Sequence, residues 1–194
     1  MKKKLLILIQ TLIFLGAKDG HFINPIISGA HPDPSICIVG DNYYLVNSSF
    51  EYFPGLPIHH SRDLVNWELI GHGIHREDQS NGEMNLVDVQ SDGGIHAPTI
   101  RHNKGTFYII TTNVYSPPDG KPAKMINFII TAKDPKGPWS EPHIIVGAPG
   151  IDPDIFFDDN NKVYFTGTHS PGDMNTNGIG SIWIQELDVK NWKL

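Results

Sequence analysis

The sequence contains a single cysteine, and this scarcity excludes several classes of protein. Cys37 has no partner for an internal disulfide, and one thiol cannot build a multi-cysteine zinc site. Charged residues make up only 19% of the 194 residues, which argues against long solvated helices. Apolar residues flank Cys37 in a pattern typical of a buried strand, so we expect an inert core thiol.

Positive charge is also scarce. The chain has 15 lysines and arginines against 21 aspartates and glutamates, a formal net charge of -6, and no basic stripe. This balance argues against nucleic acid or an anionic membrane surface as the partner. The 10 histidines form no His-Glu-x-x-His pattern, and residues 158–161 are typical of a hairpin turn rather than an ion site. We therefore predict no metal and no cofactor.

The long apolar run at residues 5–15 is too short to span a bilayer as a helix, which needs about 20 residues. It follows Lys2-Lys3-Lys4 and precedes the small pair Gly16-Ala17, an arrangement typical of a secretory signal peptide. We predict a signal peptide over residues 1–17, a secreted or periplasmic mature chain, and no membrane attachment after cleavage. The alternatives are an uncleaved anchor and a buried helix.

Glycine and proline are abundant instead, with 19 and 15 residues, and they separate short apolar segments. The same order recurs three times: a turn, an aromatic strand, a second apolar strand, and a polar turn ending in tryptophan. Tyr44, Tyr108 and Tyr164 mark the aromatic strands at intervals of about 60 residues, as expected for propeller blades. We predict an all-β propeller domain over residues 24–194 with about three blades. A large sandwich with similar hairpins is the alternative.

The tryptophans that close the three units are Trp67, Trp139 and Trp192. We expect all three to fill the core, because a tryptophan behind an aspartate-rich turn is commonly a packing residue.

Two aspartate-proline motifs stand apart from the repeated turns. Asp33-Pro34 precedes the first strand, and Asp152-Pro153 precedes the aromatic strand of the third unit. The following proline is expected to hold each aspartate in extended geometry at the start of a blade's inner strand. Because those starts converge on a propeller's axis, both carboxylates are predicted to face one pocket, as paired-carboxylate chemistry requires. The alternative for each motif is a structural turn or cap.

These motifs belong to a larger resemblance. Residues 31–36, 41–45, 49–56, 93–101 and 151–153, in this order, resemble glycoside hydrolase family 43. The subgroup most similar to this sequence is the β-xylosidases and α-L-arabinofuranosidases. The resemblance extends from about residue 24 to the end of the sequence and is more specific to the family than to one sugar.

The resemblance implies a five-bladed β-propeller that hydrolyses glycosidic bonds with inversion. Asp33 matches the general base, and Asp152 matches the carboxylate that orients the acid and tunes its pKa. Phe50, His96 and Ala97 match the substrate-binding positions of the sugar pocket. For Phe50 the alternative is an ordinary core phenylalanine, and His96 stands where relatives often have an aromatic residue.

The family's general acid is a glutamate in a Glu-Gly-Pro type of motif, and this sequence has no such motif. Glu186 resembles a strand residue that precedes the acid, and we do not assign it that role. General acid catalysis is typically worth about 10²–10⁴-fold, so we expect these 194 residues alone to be nearly inactive. Three blades are also fewer than a propeller needs to close, so we expect the front part of a longer glycosidase.

The sequence thus predicts a secreted, exo-acting glycosidase that releases xylose or arabinose from plant cell-wall oligosaccharides. Its partner would be a xylo- or arabino-oligosaccharide. An endo-arabinanase on the same fold is one alternative. A non-catalytic, carbohydrate-binding propeller remnant is the other, since such a protein would keep Asp33 and Asp152 without the acid.

Overall fold

The computed structural model describes residues 22–86, 89–117, 119–169 and 180–194. The predicted signal peptide at residues 1–17 lies outside this part of the chain. The described residues contain no α-helix, and their helical content is two single-turn 3₁₀ helices, Glu77–Gln79 and Gly82–Met84. None of the helices in this part is long and apolar enough to cross a membrane.

The strands form three antiparallel sheets, and each sheet is a simple meander in chain order. The first sheet contains β1 (Ser35–Val39), β2 (Asn42–Val46), β3 (Gly55–Ser61) and β4 (Glu68–Ile74). The second contains β5 (Gly94–Asn103), β6 (Thr106–Tyr115), β7 (Lys124–Ala132) and β8 (His143–Ile144). The third contains β9 (Ile151–Phe157), β10 (Val163–His169) and β11 (Ser181–Glu186). This is the arrangement of three successive propeller blades.

The middle blade is buried on both faces because it lies between the other two. Successive side chains of a strand point to opposite faces of its sheet. On β6, Ile109 packs into the core shared with the first blade, whereas its neighbour Ile110 packs into the core shared with the third. Ile130 and Ile129 on β7 divide in the same way. Two continuous apolar cores therefore fix the order of the blades.

The outer faces of the first and third blades are apolar but exposed. Ile38 on β1 is 64% exposed, and Ile182 on β11 is 82% exposed. Ile36 and Ile184 are exposed on the same two strands. On β1 the two isoleucines flank buried Cys37, and on β11 they flank partly buried Trp183, so each strand presents apolar side chains on both of its faces.

Two predictions about core residues have different outcomes. Cys37 is buried, as expected, and burial raises the pKa of its thiol to about 11. Trp139 is 2% exposed and fills the core between the first two blades. Trp192 is half-buried and packs against the core shared by the second and third blades, in agreement with the expectation. Trp67 is half-buried and packs against neither apolar core, so the expectation is wrong for this residue. Trp67 covers its own turn instead, where its Nε1 donates a hydrogen bond to the carbonyl oxygen of Leu64 over 3.0 Å.

The entry into β9 is held against the middle blade by Asn127, which is buried on β7. Its Nδ2 donates hydrogen bonds to the carbonyl oxygens of Ala148 (3.1 Å) and Gly150 (3.0 Å). Its Oδ1 accepts a hydrogen bond from the Thr112 hydroxyl over 2.8 Å. One buried amide thus satisfies two loop carbonyls and fixes the direction in which the chain enters the third blade.

A substitution at Gly150 tests whether the chain must pass close to Thr168 as it enters β9. Its φ is +81°, and an added Cβ would lie 1.7 Å from the carbonyl oxygen of Thr168. Gly147 has a similar φ of +90°, but an added Cβ meets only Leu194, at 3.9 Å. We expect Gly147→Ala to lower the free energy of unfolding by about 1–2 kcal/mol through backbone strain alone. Gly150→Ala should lower the free energy of unfolding by about 1–3 kcal/mol more than Gly147→Ala, because of the steric clash with Thr168.

Denaturant unfolding of the two variants beside the unmodified chain measures this difference. Equal losses for the two alanines would show that the close approach to Thr168 does not constrain the start of β9.

Candidate active site

The three inner strands begin with the same local geometry. Asp33-Pro34 precedes β1, Ala97-Pro98 lies in β5, and Asp152-Pro153 lies in β9. The residue before proline is left-handed in each case, with φ of 52° at Asp33, 40° at Ala97 and 56° at Asp152. Non-glycine residues seldom adopt such angles, and they persist where the surrounding structure enforces them.

The expectation that proline keeps Asp33 and Asp152 extended is therefore wrong. A following proline disfavours the right-handed helical region, and aspartate is among the residues that tolerate the left-handed one. In β5 and β9 the ladder is also irregular at this point, between His96 and Thr99 and opposite the Thr166–Thr168 segment. Proline is tolerated at such bulges because no ladder hydrogen bond is lost there.

Side chains just after the prolines join the inner strands to one another. The backbone N–H of Ile100 on β5 donates to the Ser35 hydroxyl on β1 over 3.2 Å. The Thr99 hydroxyl on β5 donates to the carbonyl oxygen of Pro153 on β9 over 2.9 Å. The Arg101 guanidinium donates from Nη2 to the Asp154 carboxylate over 2.6 Å. These bonds fix the three strand starts relative to each other across blade boundaries.

An open depression of ≈ 330 Å³ lies where the strand starts meet. Asp33, Ala97 and Asp152 all line it, so the structure brings together three of the five predicted site residues. The remaining lining residues are two of the prolines and residues that follow them: Pro34, Ser35, Pro98, Thr99 and Arg101. Both carboxylates are exposed to solvent. The arrangement presents two carboxylates from different blades to one space, which is what acid–base chemistry on a bound molecule requires.

Larger depressions lie elsewhere on the described residues. One of ≈ 500 Å³ lies between the first sheet and residues 133–136, and two, of ≈ 540 and ≈ 640 Å³, border Lys162 at the other end of β9. The one of ≈ 640 Å³ is lined by two carboxylates, Asp159 and Asp158, but both belong to a single hairpin turn, and Asp158 stabilises that turn. Its Oδ1 accepts hydrogen bonds from the backbone N–H groups of Asn160 (2.9 Å) and Lys162 (2.7 Å). The hairpin turn predicted over residues 158–161 is confirmed. We therefore place the candidate active site at Asp33 and Asp152, despite its smaller volume.

Phe50 and His96 pack against each other rather than among the residues that line the depression. Their rings meet edge to face with centroids 4.8 Å apart, and Phe50 has a left-handed backbone with φ of 46°. The backbones of Phe50 and Ile95 are joined by an antiparallel bridge. The ring nitrogen Nε2 of His96 lies 3.0 Å from the carbonyl oxygen of Asp92. Both side chains flank β5 next to Ala97, and their sugar-binding role stays a prediction.

Ser48 contacts Asp33 and has no motif that would identify it in the sequence. Its hydroxyl donates to Asp33 Oδ2 over 2.6 Å and accepts a hydrogen bond from the Ala97 N–H over 2.7 Å. Its own backbone N–H donates to the carbonyl oxygen of Pro32 over 3.0 Å. Only the fold, which brings the end of the first hairpin against β5, makes this contact visible.

His31 is tied to the segment next to Asp33. Its Nδ1 lies 3.2 Å from Asn47 Oδ1, and its Nε2 lies 3.1 Å from the carbonyl oxygen of Ser28. The His31 ring also meets His59 edge to face, with centroids 5.2 Å apart. His31 therefore braces the loop that carries Asp33.

Glu186 lies away from the depression. It ends β11 on the outer side of the third blade, where Lys162 donates a hydrogen bond to its Oε2 over 2.7 Å. This position agrees with the decision not to assign it as the general acid. Within the described ranges no cluster of three or more histidine, cysteine, aspartate or glutamate side chains is arranged to hold a metal ion.

Fold and site together define a β-propeller with two carboxylates at the meeting point of its inner strands. The sequence model of the family described as "Glycosyl hydrolases family 43" matches residues 22–194 of this chain. The chain belongs to this family, and the resemblance inferred from its motifs is confirmed.

Similar proteins include a xylosidase/arabinosidase from Butyrivibrio fibrisolvens, which is 51% identical over 176 residues, 88% of this chain and 31% of that protein. A non-reducing end alpha-L-arabinofuranosidase from Bacteroides ovatus is 51% identical over 151 residues, 78% of this chain and 27% of that protein. The chain therefore spans about a third of the length of these relatives.

Solved structures agree with this assignment. A xylan beta-1,4-xylosidase from Bacillus halodurans superposes with a TM-score of 0.75 at 37% identity, over 89% of this chain and 32% of that one. A GH43_12 protein from a capybara gut metagenome superposes with a TM-score of 0.76 at 41% identity, over 89% of this chain and 31% of that one. These neighbours are five-bladed propellers, so the predicted all-β, five-bladed propeller fold with about three blades in this chain is confirmed.

His59, whose ring contacts His31, and its neighbour His72 give a prediction about pH. The pKa of His59 is lowered by its burial first, and then by its neighbours His31 and His72. Burial and the nearby His75 likewise lower the pKa of His72. An unfolded chain protonates histidine near about pH 6.5, above these folded-state values. The unfolded state then binds more protons, so stability is present above that pH and is lost as the pH falls below it.

We expect the free energy of unfolding to decrease between about pH 7.5 and about pH 5.5, and His59→Gln to remove part of this decrease. Denaturant titrations at the two pH values measure both quantities. A variant with the same pH dependence as the unmodified chain would contradict a role for buried, neutral His59.

Proposed function

We propose that this chain carries two of the three catalytic carboxylates of a glycoside hydrolase that releases xylose or arabinose from xylo- or arabino-oligosaccharides. The observation that carries the proposal is the placement of Asp33 and Asp152 around one depression in a family 43 chain. The sugars come from the names of similar proteins, a xylosidase/arabinosidase and an arabinofuranosidase among them. We also propose that the mature protein acts outside the cytoplasm, because residues 1–17 have the pattern of a signal peptide.

In the proposed reaction Asp33 is the general base. A water molecule attacks the anomeric carbon, its proton passes to the Asp33 carboxylate, and the bond from that carbon to the leaving-group oxygen breaks. Attack from the face opposite the leaving group inverts the anomeric configuration. Because the Ser48 hydroxyl occupies Asp33 Oδ2, we assign the water to the other carboxylate oxygen.

Asp152 has a supporting role in this scheme. Its left-handed backbone and the bond from Thr99 to Pro153 hold it beside β5. From that position it can orient a protonated general acid and influence its pKa without attacking the sugar. Inverting hydrolysis needs the acid and the base about 6.5–9.5 Å apart so that water fits between base and sugar.

Asp33 and Asp152 are the carboxylates that line the depression, so we assign the proton for the leaving group to a third carboxylic acid elsewhere in the protein. The sequence has no Glu-Gly-Pro motif, and Glu186 pairs with Lys162 on the outer strand. This supports one other function for the chain as given, a non-catalytic propeller that binds oligosaccharides without cleaving them. Substrates with good leaving groups separate the two, since fluoride departs without a proton while the base is still required.

The test compares β-D-xylosyl and α-L-arabinofuranosyl fluorides with the corresponding natural oligosaccharides. We expect the natural gene product to hydrolyse both the fluoride and the oligosaccharide of at least one of the two sugars. Asp33→Ala should reduce this turnover by about 10²–10⁴-fold. Asp159→Ala, which removes an exposed carboxylate from the far end of β9, should leave turnover unchanged. Nuclear magnetic resonance on the first-formed product reads its anomeric configuration directly.

Unchanged turnover in Asp33→Ala would exclude Asp33 as the base. Oligosaccharide binding with no turnover of either fluoride would favour the non-catalytic propeller over the hydrolase.

A further inference from the structure

We infer that Ser48 is the positioning residue for the general base, and that its hydroxyl fixes Asp33 relative to β5 of the neighbouring blade. The inference rests on the proposed function, since it assigns Ser48 a part in the reaction of that same site. It starts from the chain of contacts that runs from the Ala97 N–H through the Ser48 hydroxyl to Asp33 Oδ2.

The protons in this chain of contacts have one direction. The backbone N–H of Ala97 can only donate, so the Ser48 oxygen must accept over the 2.7 Å contact. The single hydroxyl proton of Ser48 is then directed at the Asp33 carboxylate, 2.6 Å away. A carboxylate that accepts such a bond is held in one rotamer, and hydrogen bonds to charged groups are stronger than neutral ones.

Ser48 is fixed independently of these two bonds. It is 3% exposed, and its backbone N–H donates to Pro32, the residue before Asp33. The side chain of Asn47 donates from Nδ2 to the Ser48 carbonyl oxygen over 2.7 Å. Ser48 is therefore hydrogen-bonded to the Asp33 loop through both its backbone and its side chain. Asp33 itself is exposed and has a left-handed backbone.

The hydrogen bond from the Ala97 N–H to the Ser48 hydroxyl connects these contacts to the second blade. Ala97 lies in the bulge of β5, where its left-handed backbone directs its N–H at Ser48. A base attached only to its own loop would move with that loop. Here the position of Asp33 is set relative to β5, and β5 is in turn bonded to the β9 segment that carries Asp152.

The neighbouring serine provides a matched control. Ser49 is 7% exposed, and its hydroxyl accepts a hydrogen bond from the Leu56 N–H over 3.1 Å instead of contacting Asp33. Ser48→Ala and Ser49→Ala each delete one buried hydroxyl from consecutive positions. A general structural effect should therefore appear in both variants, and a positioning effect only in the first.

The experiment measures kcat and KM on the glycosyl fluorides for the natural gene product, Ser48→Ala, Ser48→Thr and Ser49→Ala. We expect Ser48→Ala to lower kcat by roughly 10–100-fold with KM nearly unchanged, because a displaced base affects the reaction more than sugar binding. Ser48→Thr keeps the hydroxyl and should recover most of kcat. Ser49→Ala should remain close to the unmodified protein. Hydrogen exchange at the Ala97 amide should become faster in Ser48→Ala alone.

Equal kcat in Ser48→Ala and Ser49→Ala would overturn the inference and leave the proposed function intact. A kcat loss that Ser48→Thr does not recover would also overturn it, because the hydroxyl would then not be the cause. Failure of the unmodified protein to hydrolyse any substrate is a different result, since it overturns the proposed function itself and with it the role of Ser48.

Discussion

The left-handed residue before proline at the start of each inner strand is the constraint on which the candidate site depends. Asp33, Ala97 and Asp152 share this conformation, which costs energy for any residue with a Cβ. It is kept because hydrogen bonds from neighbouring strands hold the following residues in place. Ser35 is bonded to β5, and Pro153 is bonded to Thr99. Two of the three equivalent positions carry carboxylates, so one repeated backbone feature brings two acids from different blades to one depression.

The packing of the blades makes that geometry rigid. Residues on alternate faces of β6 and β7 belong to two different apolar cores, so the second blade cannot shift without disturbing both. Asn127 adds a polar connection at the point where the chain leaves the second blade for the third. The exposed carboxylates thus sit on a buried framework, which is how a binding site obtains a fixed geometry at a solvent-accessible surface.

Much of this architecture could be predicted from the sequence. The recurrence of aromatic strands between glycine-rich turns predicts the blades, because that pattern reflects packing within each blade. Asp33 and Asp152 could be selected because the same aspartate-proline pair recurs before equivalent strands. Their backbone angles could not, since the preference of residues before proline speaks against the right-handed helix and does not choose between the remaining regions. Trp67 likewise shows that a tryptophan after an aspartate-rich turn is not always a core residue.

Ser48 shows where sequence reasoning ends. It lies in a plain Asn-Ser-Ser stretch, and its partner Ala97 is far along the chain, so neither residue indicates the contact. Phe50 and His96 could be placed near the site, but their packing against each other beside β5 depends on side-chain geometry.

The central claim is that sugar binds between the strand starts rather than in the larger depressions. A crystal structure of the Asp33→Asn variant of the natural gene product with a bound xylo- or arabino-oligosaccharide tests it most directly. The account predicts a terminal sugar between residue 33 and Asp152, against the wall formed by Ala97. A sugar bound only in the depression bordered by Lys162 and Trp192 would contradict it.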